Sequence, residues 1–359
     1  MNNRRKFFKS LGLLSATALV GGLHPKNSLA KTKIKWKMVT SWPKNFPGLG
    51  AGAETLAGYI NKLSGGSLEV KVFGANELVP PLGVFDFVSS GGAEMGHSGA
   101  YYWKGKTEAA QFFSSVPFGM TAQEMNSWLY YGDGIKLWEE VYENFNLIPR
   151  PAGNTGVQMG GWFNKEINTT NDLKGLKMRI PGLGGEVLAR AGGTPFTLAG
   201  AEIFTSLQTG VIDATEWVGP YNDRAFGLHK AAKYYYYPGW HEPGPSLECI
   251  INKDAYSSLS DQHKSIIDIA CKAANVDMIS DYMAKNYQAL EFFKKEKVQI
   301  KQFPAEVLSK LNKISDEILL ELSQKNNLSK KVYDSYVNFL SRVRPWTLIS
   351  EDAYLSSFK

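Results

Sequence analysis

The sequence predicts an α/β protein of two lobes joined by a hinge. Short runs rich in β-branched and aromatic residues alternate with helical patterns, which is typical of βαβ units. Once a predicted leader is removed, about 330 residues remain, more than one hydrophobic core usually holds. Residues 156–164 and 246–252 are predicted to be extended crossings between the lobes, and two such crossings would form the hinge.

The first thirty residues have the features of an export signal. Basic residues come first, mostly apolar or small residues follow at 11–22, and small residues occupy 28–30. Arg4 and Arg5 match the twin-arginine export pattern, although a basic start alone would serve ordinary secretion too. The apolar run is too short to span a bilayer. The sequence therefore predicts a cleaved signal and a periplasmic or extracellular protein.

The rest of the chain is nearly balanced in charge. The full sequence has 40 Lys+Arg and 34 Asp+Glu, and five of the basic residues lie in the first thirty. This balance gives no electrostatic argument for nucleic acid or a membrane as a partner. The two cysteines, Cys249 and Cys271, are predicted to be buried thiols rather than a disulfide, because a chain this long needs no covalent staple.

The first lobe is predicted to span residues 31–155, with residues 249–260 returning to it. A pair of glycines ends each of its first two helices, and a strand follows each pair. With the strand before the first helix, these elements form a βαβαβ unit. Its predicted elements are, in chain order, strand 34–40, a helix to about residue 64, strand 68–73, helix 79–90, strand 94–97, helices 123–131 and 134–144, and strand 147–152.

The second lobe is predicted to span residues 156–248. Its βαβαβ core is strand 176–180, a helix to residue 190, strand 194–197, helix 201–209 and strand 211–217. Arg179 and Glu216 lie near the carboxyl ends of the first and third of these strands. Ligands bind at this edge of open α/β sheets. A guanidinium and a carboxylate beside Trp217 therefore indicate an anion site with a cation next to it.

A long helix is predicted at residues 260–295, with Ser260 as its cap. At ~1.5 Å per residue it would be about 50 Å long, enough to brace both lobes. The apolar positions predicted to form its buried face are Ile266, Ala270, Ala273, Val276, Ile279, Met283, Tyr287 and Leu290.

The C-terminal region, residues 296–359, is predicted to contain a strand at 298–303, a helix at 305–325 and a last helix at 329–343 that Pro345 ends. The apolar face of the last helix needs a partner surface. That surface is either the protein's own lobes or a second copy in a homodimer.

Motifs for several enzyme classes are missing from the sequence. There is no G-x-S-x-G elbow, no H-E-x-x-H pair and no P-loop. A metal-dependent lyase that uses Glu216 and His241 stays open as an alternative to a binding protein.

Several stretches resemble the DctP-type solute-binding proteins of tripartite ATP-independent periplasmic (TRAP) transporters. The most specific is the run GLKMRIPG, AGGTPFTL and EIFTSLQTGVIDATE within residues 175–216, and supporting matches extend from about residue 36 to 303. EWVGPYND at 216–223 and YYYPGWHEPG at 235–244 are similar to a subgroup that binds 2-oxo and 2-hydroxy monocarboxylates.

The resemblance implies a periplasmic-binding-protein-like fold and the roles of several side chains. Arg179 would grip the substrate carboxylate, and Gln158 would contact both substrate and metal. Glu216, Glu242 and the backbone carbonyl of Trp217 would complete the metal shell. Na⁺ is the expected cation because the shell is small, and Ca²⁺ is the alternative.

The resemblance also implies the function of a receptor that passes a small 2-oxo monocarboxylate, such as pyruvate, to membrane permease subunits. Lactate or another monocarboxylate is the alternative ligand. Side chains that could reach the cleft from the first lobe are Trp42, Tyr101, Tyr102 and Asn154. Of these, Tyr101 and Asn154 are expected to contact the ligand, as is Trp217 from the second lobe. The subgroup includes a dimer that exchanges a late helix, which supports the homodimer hypothesis.

Overall fold

The computed structural model describes residues 33–358, and the predicted export signal lies outside these residues. The strands form two sheets. They are β1 Ile34–Thr40, β2 Leu68–Phe73, β3 Met95–Ser98, β4 Leu147–Asn154, β5 Gly161–Phe163, β6 Lys177–Arg179, β7 Thr194–Phe196, β8 Ala214–Thr215, β9 Tyr234–Tyr237, β10 Ser246–Asn252 and β11 Gln299–Gln302.

The helices agree with most of the predicted ones. They are α1 Leu49–Leu63, α2 Val84–Ser89, α3 Ala122–Tyr131, α4 Gly134–Tyr142, α5 Gly182–Arg190, α6 Gly200–Gln208, α7 Pro220–Phe226, α8 Lys253–Ser257, α9 Asp261–Lys295, α10 Ala305–Ser323, α11 Asn327–Thr347 and α12 Ala353–Ser356. The helix predicted at 79–90 is shorter than expected, because α2 follows a separate 3₁₀ turn at Pro81–Gly83.

The first sheet has the order β2-β1-β3-β10-β4. Strands β1, β2 and β3 are parallel, as a βαβαβ unit requires, and β10 runs antiparallel between β3 and β4. Asn154 at the end of β4 pairs with Ser246 at the start of β10, so both chain crossings leave this sheet at one place.

The second sheet has the order β11-β9-β5-β8-β6-β7. Strands β6, β7 and β8 are parallel, and β5 runs antiparallel to β8 and β9. Strand β11 follows the long helix and pairs with β9, so the predicted C-terminal region contributes to this sheet. The lobe boundaries at 31–155 and 156–248 remain predictions.

Two predicted strands are much shorter than expected. In the stretch 156–164, only Gly161–Phe163 is a strand, because the residues before it bond to other loops: the N–H of Met159 donates to the Val218 carbonyl, 3.0 Å away. Of the stretch 211–217, only Ala214–Thr215 pairs as strand β8. Both shortened strands leave irregular backbone at the edge where a ligand is expected.

Most of the buried face predicted for the long helix α9 is wrong, although Ala270 is buried as expected. Ser260 caps it as expected, accepting from the N–H of His263. Val276, Met283 and Tyr287, predicted to be buried, are 61%, 77% and 63% exposed. The buried positions are Ile267, Ala270, Cys271, Ala274, Asn275, Met278, Tyr282, Ala289 and Phe293. The helix has apolar residues on two faces, so its period alone cannot choose between them.

The last helix does not end at Pro345, as predicted, but continues to Thr347. The carboxylate of Glu124 holds this end, accepting from Arg344 at 2.8 Å and from the Thr347 hydroxyl at 2.7 Å. The apolar face of α11 packs on its own chain, where Tyr336 is buried against Trp128. That face therefore needs no second copy, contrary to the reason first given for a homodimer.

Both cysteines are buried and unbridged within residues 33–358, as predicted. None of the helices in that range combines the length and the apolar character that crossing a membrane would require.

Candidate functional site

Arg179 and Glu216 meet at the carboxyl ends of neighbouring parallel strands. Arg179 of β6 pairs with Thr215 of β8, which places Glu216 one residue further along. A guanidinium N–H of Arg179 donates to the Glu216 carboxylate, and both side chains are 1% exposed. The guanidinium also lies 3.2 Å from the Tyr102 hydroxyl and 4.9 Å from the Trp217 ring centroid. The predicted edge therefore carries a buried ion pair between aromatic rings.

A loop after β9 brings two more polar side chains to this pair. The Nε2 atom of His241 lies 3.3 Å from the Glu216 carboxylate, and Glu242 accepts from the Gln158 side-chain amide at 2.7 Å. The Gln158 backbone holds the loop, donating to the Glu242 carbonyl and accepting from the Gly239 N–H at 2.9 Å. A Cβ atom at Gly239 would overlap the Gln158 backbone, so this close approach requires glycine.

The charges of the site are concentrated where water screens them little. Burial, and secondly the nearby Glu216, raises the pKa of the Glu242 carboxyl well above its ordinary value. Burial alone would lower the pKa of Arg179, but Glu216 raises it. Two carboxyl groups around one guanidinium leave this place favourable for a further positive charge.

Tyr101, Gln158, Trp217 and Glu242 line one small cavity of about 10 Å³, roughly the space that one water molecule needs. The other lining residues are Trp42, Leu49, Thr155, Val218 and Leu247. Within the described chain, Gln158 Oε1 and Trp217 Nε1 are buried without a hydrogen-bond partner. Because buried polar atoms normally have partners, an acceptor and a donor are available here to a polar ligand.

The residues present fit a hard cation. One potential ligand atom from each of Glu216, His241 and Glu242 lies within 4.8 Å of the other two. The unpartnered Gln158 Oε1 adds an amide oxygen to the two carboxylates, and Na⁺ and Ca²⁺ prefer such oxygen ligands. Imidazole suits softer ions, so His241 fits better as the residue that orients Glu216.

Most of the predicted site residues lie together, but the side chain of Asn154 is hydrogen bonded to backbone groups. Its side chain is buried at the end of β4, donating to the Gly244 carbonyl at 3.1 Å and accepting from the Gly156 N–H at 2.8 Å. Asn154 therefore shapes the turn that leads to Thr155 and Gln158. A direct contact between Asn154 and a ligand remains a prediction.

Sequence reasoning missed four residues that line the cavity. Thr155 and Val218 are next to predicted site residues, and this proximity was the available signal. Leu247 had no such signal, because it lies in β10, whose seven residues are all buried. Leu49 had none either, because it is one of several buried apolar residues of α1. A strand buried on both faces has no alternating pattern to mark the side that faces a cavity.

Comparisons with known proteins agree closely. The family model for DctP, bacterial extracellular solute-binding protein family 7, matches residues 38–326. A monocarboxylate 2-oxoacid-binding periplasmic protein from Nostoc sp. is 42% identical over 355 residues, which cover 98% of this chain and 97% of the relative.

Two solved structures are also similar over nearly their whole length. A TRAP periplasmic solute-binding protein from Pseudoalteromonas atlantica, with bound sodium and pyruvate, is 44% identical, with a TM-score of 0.89 over 91% of this chain and 100% of that one. A TRAP periplasmic solute-binding protein from Colwellia psychrerythraea, with bound calcium and pyruvate, is 43% identical, with a TM-score of 0.88 over 90% and 99%.

Proposed function

The chain belongs to the DctP family of extracellular solute-binding proteins, and we propose that it is the receptor of a TRAP transporter for a small 2-oxo monocarboxylate such as pyruvate. The ligand is bound together with Na⁺ or Ca²⁺, the ions that accompany pyruvate in the two similar structures. The membrane permease subunits of the transporter are the partners that receive it.

The buried Arg179 at the carboxyl edge of the second sheet is the observation that carries this proposal. Its planar fork can pair with both oxygens of a carboxylate, which makes arginine the usual residue for that ligand. A guanidinium is costly to bury without a partner, so the site is built around negative charge.

Glu216, Glu242, the Gln158 amide oxygen and the Trp217 backbone carbonyl are the residues that would hold the cation. Bound there, a cation would offset the repulsion between the two carboxylates and an incoming acid. Tyr101 and the indole N–H of Trp217 lie at the same cavity and would contact the bound acid.

Thermal-shift screening of the mature protein against a panel of carboxylates, with Na⁺ or Ca²⁺ present, tests the ligand class. Because a ligand that binds only the folded state raises the melting temperature, 2-oxo monocarboxylates are expected to give the largest shifts. Larger shifts with dicarboxylates, sugars or amino acids, and none with 2-oxo acids, would contradict the proposal.

The family consists of solute receptors of transporters, and we propose that this chain binds its ligand without turnover. Mass spectrometry of pyruvate after incubation with metal-loaded protein separates a receptor from a lyase. Recovery of unchanged pyruvate is expected. Conversion to another compound, lost in a Glu216→Gln variant, would identify an enzyme instead.

The family is one of extracellular proteins, and export by a cleaved twin-arginine signal is proposed for this chain. Arg4 and Arg5 are the residues that support this route. An Arg4→Lys/Arg5→Lys double variant should stay in the cytoplasm unprocessed. Normal export of that variant would indicate the general secretory route.

We also propose a homodimer, on grounds that differ from those first considered. Ile269, Val276, Met283 and Tyr287 form an exposed apolar stripe on α9, at intervals of seven, seven and four residues, which is the spacing of a helix-pairing seam. Further exposed apolar side chains follow Pro345: Trp346, Leu348, Ile349, Tyr354, Leu355 and Phe358. Exposed apolar surface of this extent is typical of protein interfaces, and a second copy supplies a matching one.

A further inference from the structure

The apolar lining of the cavity is one continuous surface. Trp42, Leu49, Val218 and Leu247 all line the cavity and belong to a single buried hydrophobic cluster. The polar lining residues Gln158 and Glu242 are hydrogen bonded to each other. A small acid with its polar atoms on the carboxylate and amide side would therefore turn its alkyl group toward the apolar surface.

This apolar surface is supported from behind and has little room to move back. Met278 of α9 belongs to the same cluster and fills the space beside Gly153, the residue that pairs with Leu247 across the sheet. A Cβ atom at Gly153 would come within 2.6 Å of the Met278 sulfur, so the thioether is packed directly on the backbone there. Because well-packed interiors resist added volume, a larger ligand group cannot simply displace Leu247.

Trp42 is fixed in this surface by a residue outside the cavity. Its indole N–H donates to Nδ1 of His97, 2.9 Å away, and Nε2 of His97 lies 3.3 Å from the carbonyl oxygen of Ala152. Nδ1 therefore accepts while Nε2–H donates, which sets the tautomer of the ring. Burial lowers the pKa of His97 to about 4, so the ring is neutral and keeps its acceptor at neutral pH.

We propose that Trp42, Leu49 and Leu247 limit the length of the alkyl group of the bound 2-oxo acid, and that His97 is the positioning residue that holds Trp42 in place. These three side chains are named the alkyl wall. The inference rests on the proposed function and adds to it the residues that set specificity. Each methylene that the alkyl wall cannot accommodate should weaken binding by about tenfold or more.

Calorimetry with pyruvate, 2-oxobutanoate and 4-methyl-2-oxopentanoate, at fixed Na⁺, tests the alkyl wall. The wild-type protein should bind pyruvate most tightly and the branched acid most weakly. In Leu247→Ala and Leu49→Ala, the ratio of the Kd for the branched acid to the Kd for pyruvate should fall at least about tenfold. Leu207→Ala is the matched control, because Leu207 is buried in the same cluster but lies outside the cavity, and its ratio should not change.

His97→Leu and His97→Asn form a second pair. Leucine removes the acceptor for the Trp42 indole and should lower the same ratio, whereas asparagine offers a carbonyl oxygen near the position of Nδ1 and should restore it. An equal change in both variants would overturn the positioning role of His97, because simple destabilisation would not distinguish between them.

Different results would overturn the alkyl wall and the receptor function. Ratios that stay unchanged in Leu247→Ala and Leu49→Ala, with pyruvate still bound, would overturn the alkyl wall and leave the receptor function standing. A wild-type protein that binds none of the three acids with either cation would overturn the proposed function, and the alkyl wall with it.

Discussion

The side-chain amide of Gln158 donates to the Glu242 carboxylate at 2.7 Å, across 84 residues of sequence. The oxygen of the same amide, Oε1, has no partner in the described part of the chain. One amide thus orients a carboxylate and keeps an acceptor available in the same cavity. Neither a strand prediction nor a charge count distinguishes this arrangement from a polar residue facing solvent.

Gln158→Leu is expected to weaken ligand binding by at least about 1 kcal/mol, because it removes the bond to Glu242 and a potential oxygen ligand of the cation. Calorimetric Kd values at fixed Na⁺ measure the change. Val157→Leu is the control, since Val157 is next in sequence but 58% exposed. Equal Kd values for wild type and Gln158→Leu would place Gln158 outside the site.

Arg179→Lys is expected to lower affinity for the acid by about 2 kcal/mol, because lysine keeps the charge but loses the planar fork. Arg179→Ala should also lower the melting temperature, since it leaves the buried Glu216 carboxylate unpaired. With a side chain that is only 1% exposed, Arg179 is part of the packed interior as well as of the candidate site. Unchanged affinity in Arg179→Lys would make the residue structural only.

Stability should fall between pH 5 and pH 8 because of Glu248, a fully buried carboxyl that accepts from Trp103 and Tyr142. Burial raises its pKa to about 7, above the unfolded value of about 4.3. The folded state then binds the proton more tightly, so the stabilisation is complete below the unfolded pKa and is lost as the pH rises through about 7.

Melting temperatures of wild type and Glu248→Gln across that range measure this effect. The glutamine variant should lose part of the pH dependence, because it cannot ionise. Identical slopes for the two proteins would show that Glu248 does not carry the dependence. Asp223, whose pKa burial also raises to about 7, contributes in the same direction and accounts for part of any remaining slope.

The wild-type protein should be a dimer at micromolar concentration, and Met283→Lys should make it a monomer, because a charge would enter the exposed stripe of α9. Light scattering gives the mass of each. Gln262→Lys adds the same charge at the start of the helix and should leave the dimer intact. A monomeric wild type would exclude the proposed interface.

The sequence predicted the positions of the helices and strands better than it predicted which of their faces are buried. Strands such as Leu68–Phe73 and Ser246–Asn252 were predicted to the residue, because glycine or proline lies just before each run and apolar residues recur within it. Most of the buried face predicted for α9 was wrong because Val276 and Met283 repeat at the same helical period as the residues that face the core. Period identifies a helix, whereas tertiary packing decides which side is covered.

Part of the candidate site could also be predicted from the sequence. Arg179 and Glu216 were found because the carboxyl ends of parallel strands share one edge. The roles of Gln158 and Glu242 came from the resemblance to a family, since no local pattern links residues so far apart. Leu247 and His97 could not be found at all, because a buried leucine or histidine has the same sequence signal in any core.

The proposal depends most directly on the cation, and one titration tests it. Chelator-treated protein, freed of bound ligand, is titrated with pyruvate in potassium buffer, and the titration is repeated with Na⁺ and with Ca²⁺. Since the buried carboxyl groups of Glu216 and Glu242 lie close together and would repel an incoming acid, at least about tenfold tighter binding is expected with one of the two cations. Equal pyruvate affinity in all three buffers would contradict a metal-assisted receptor.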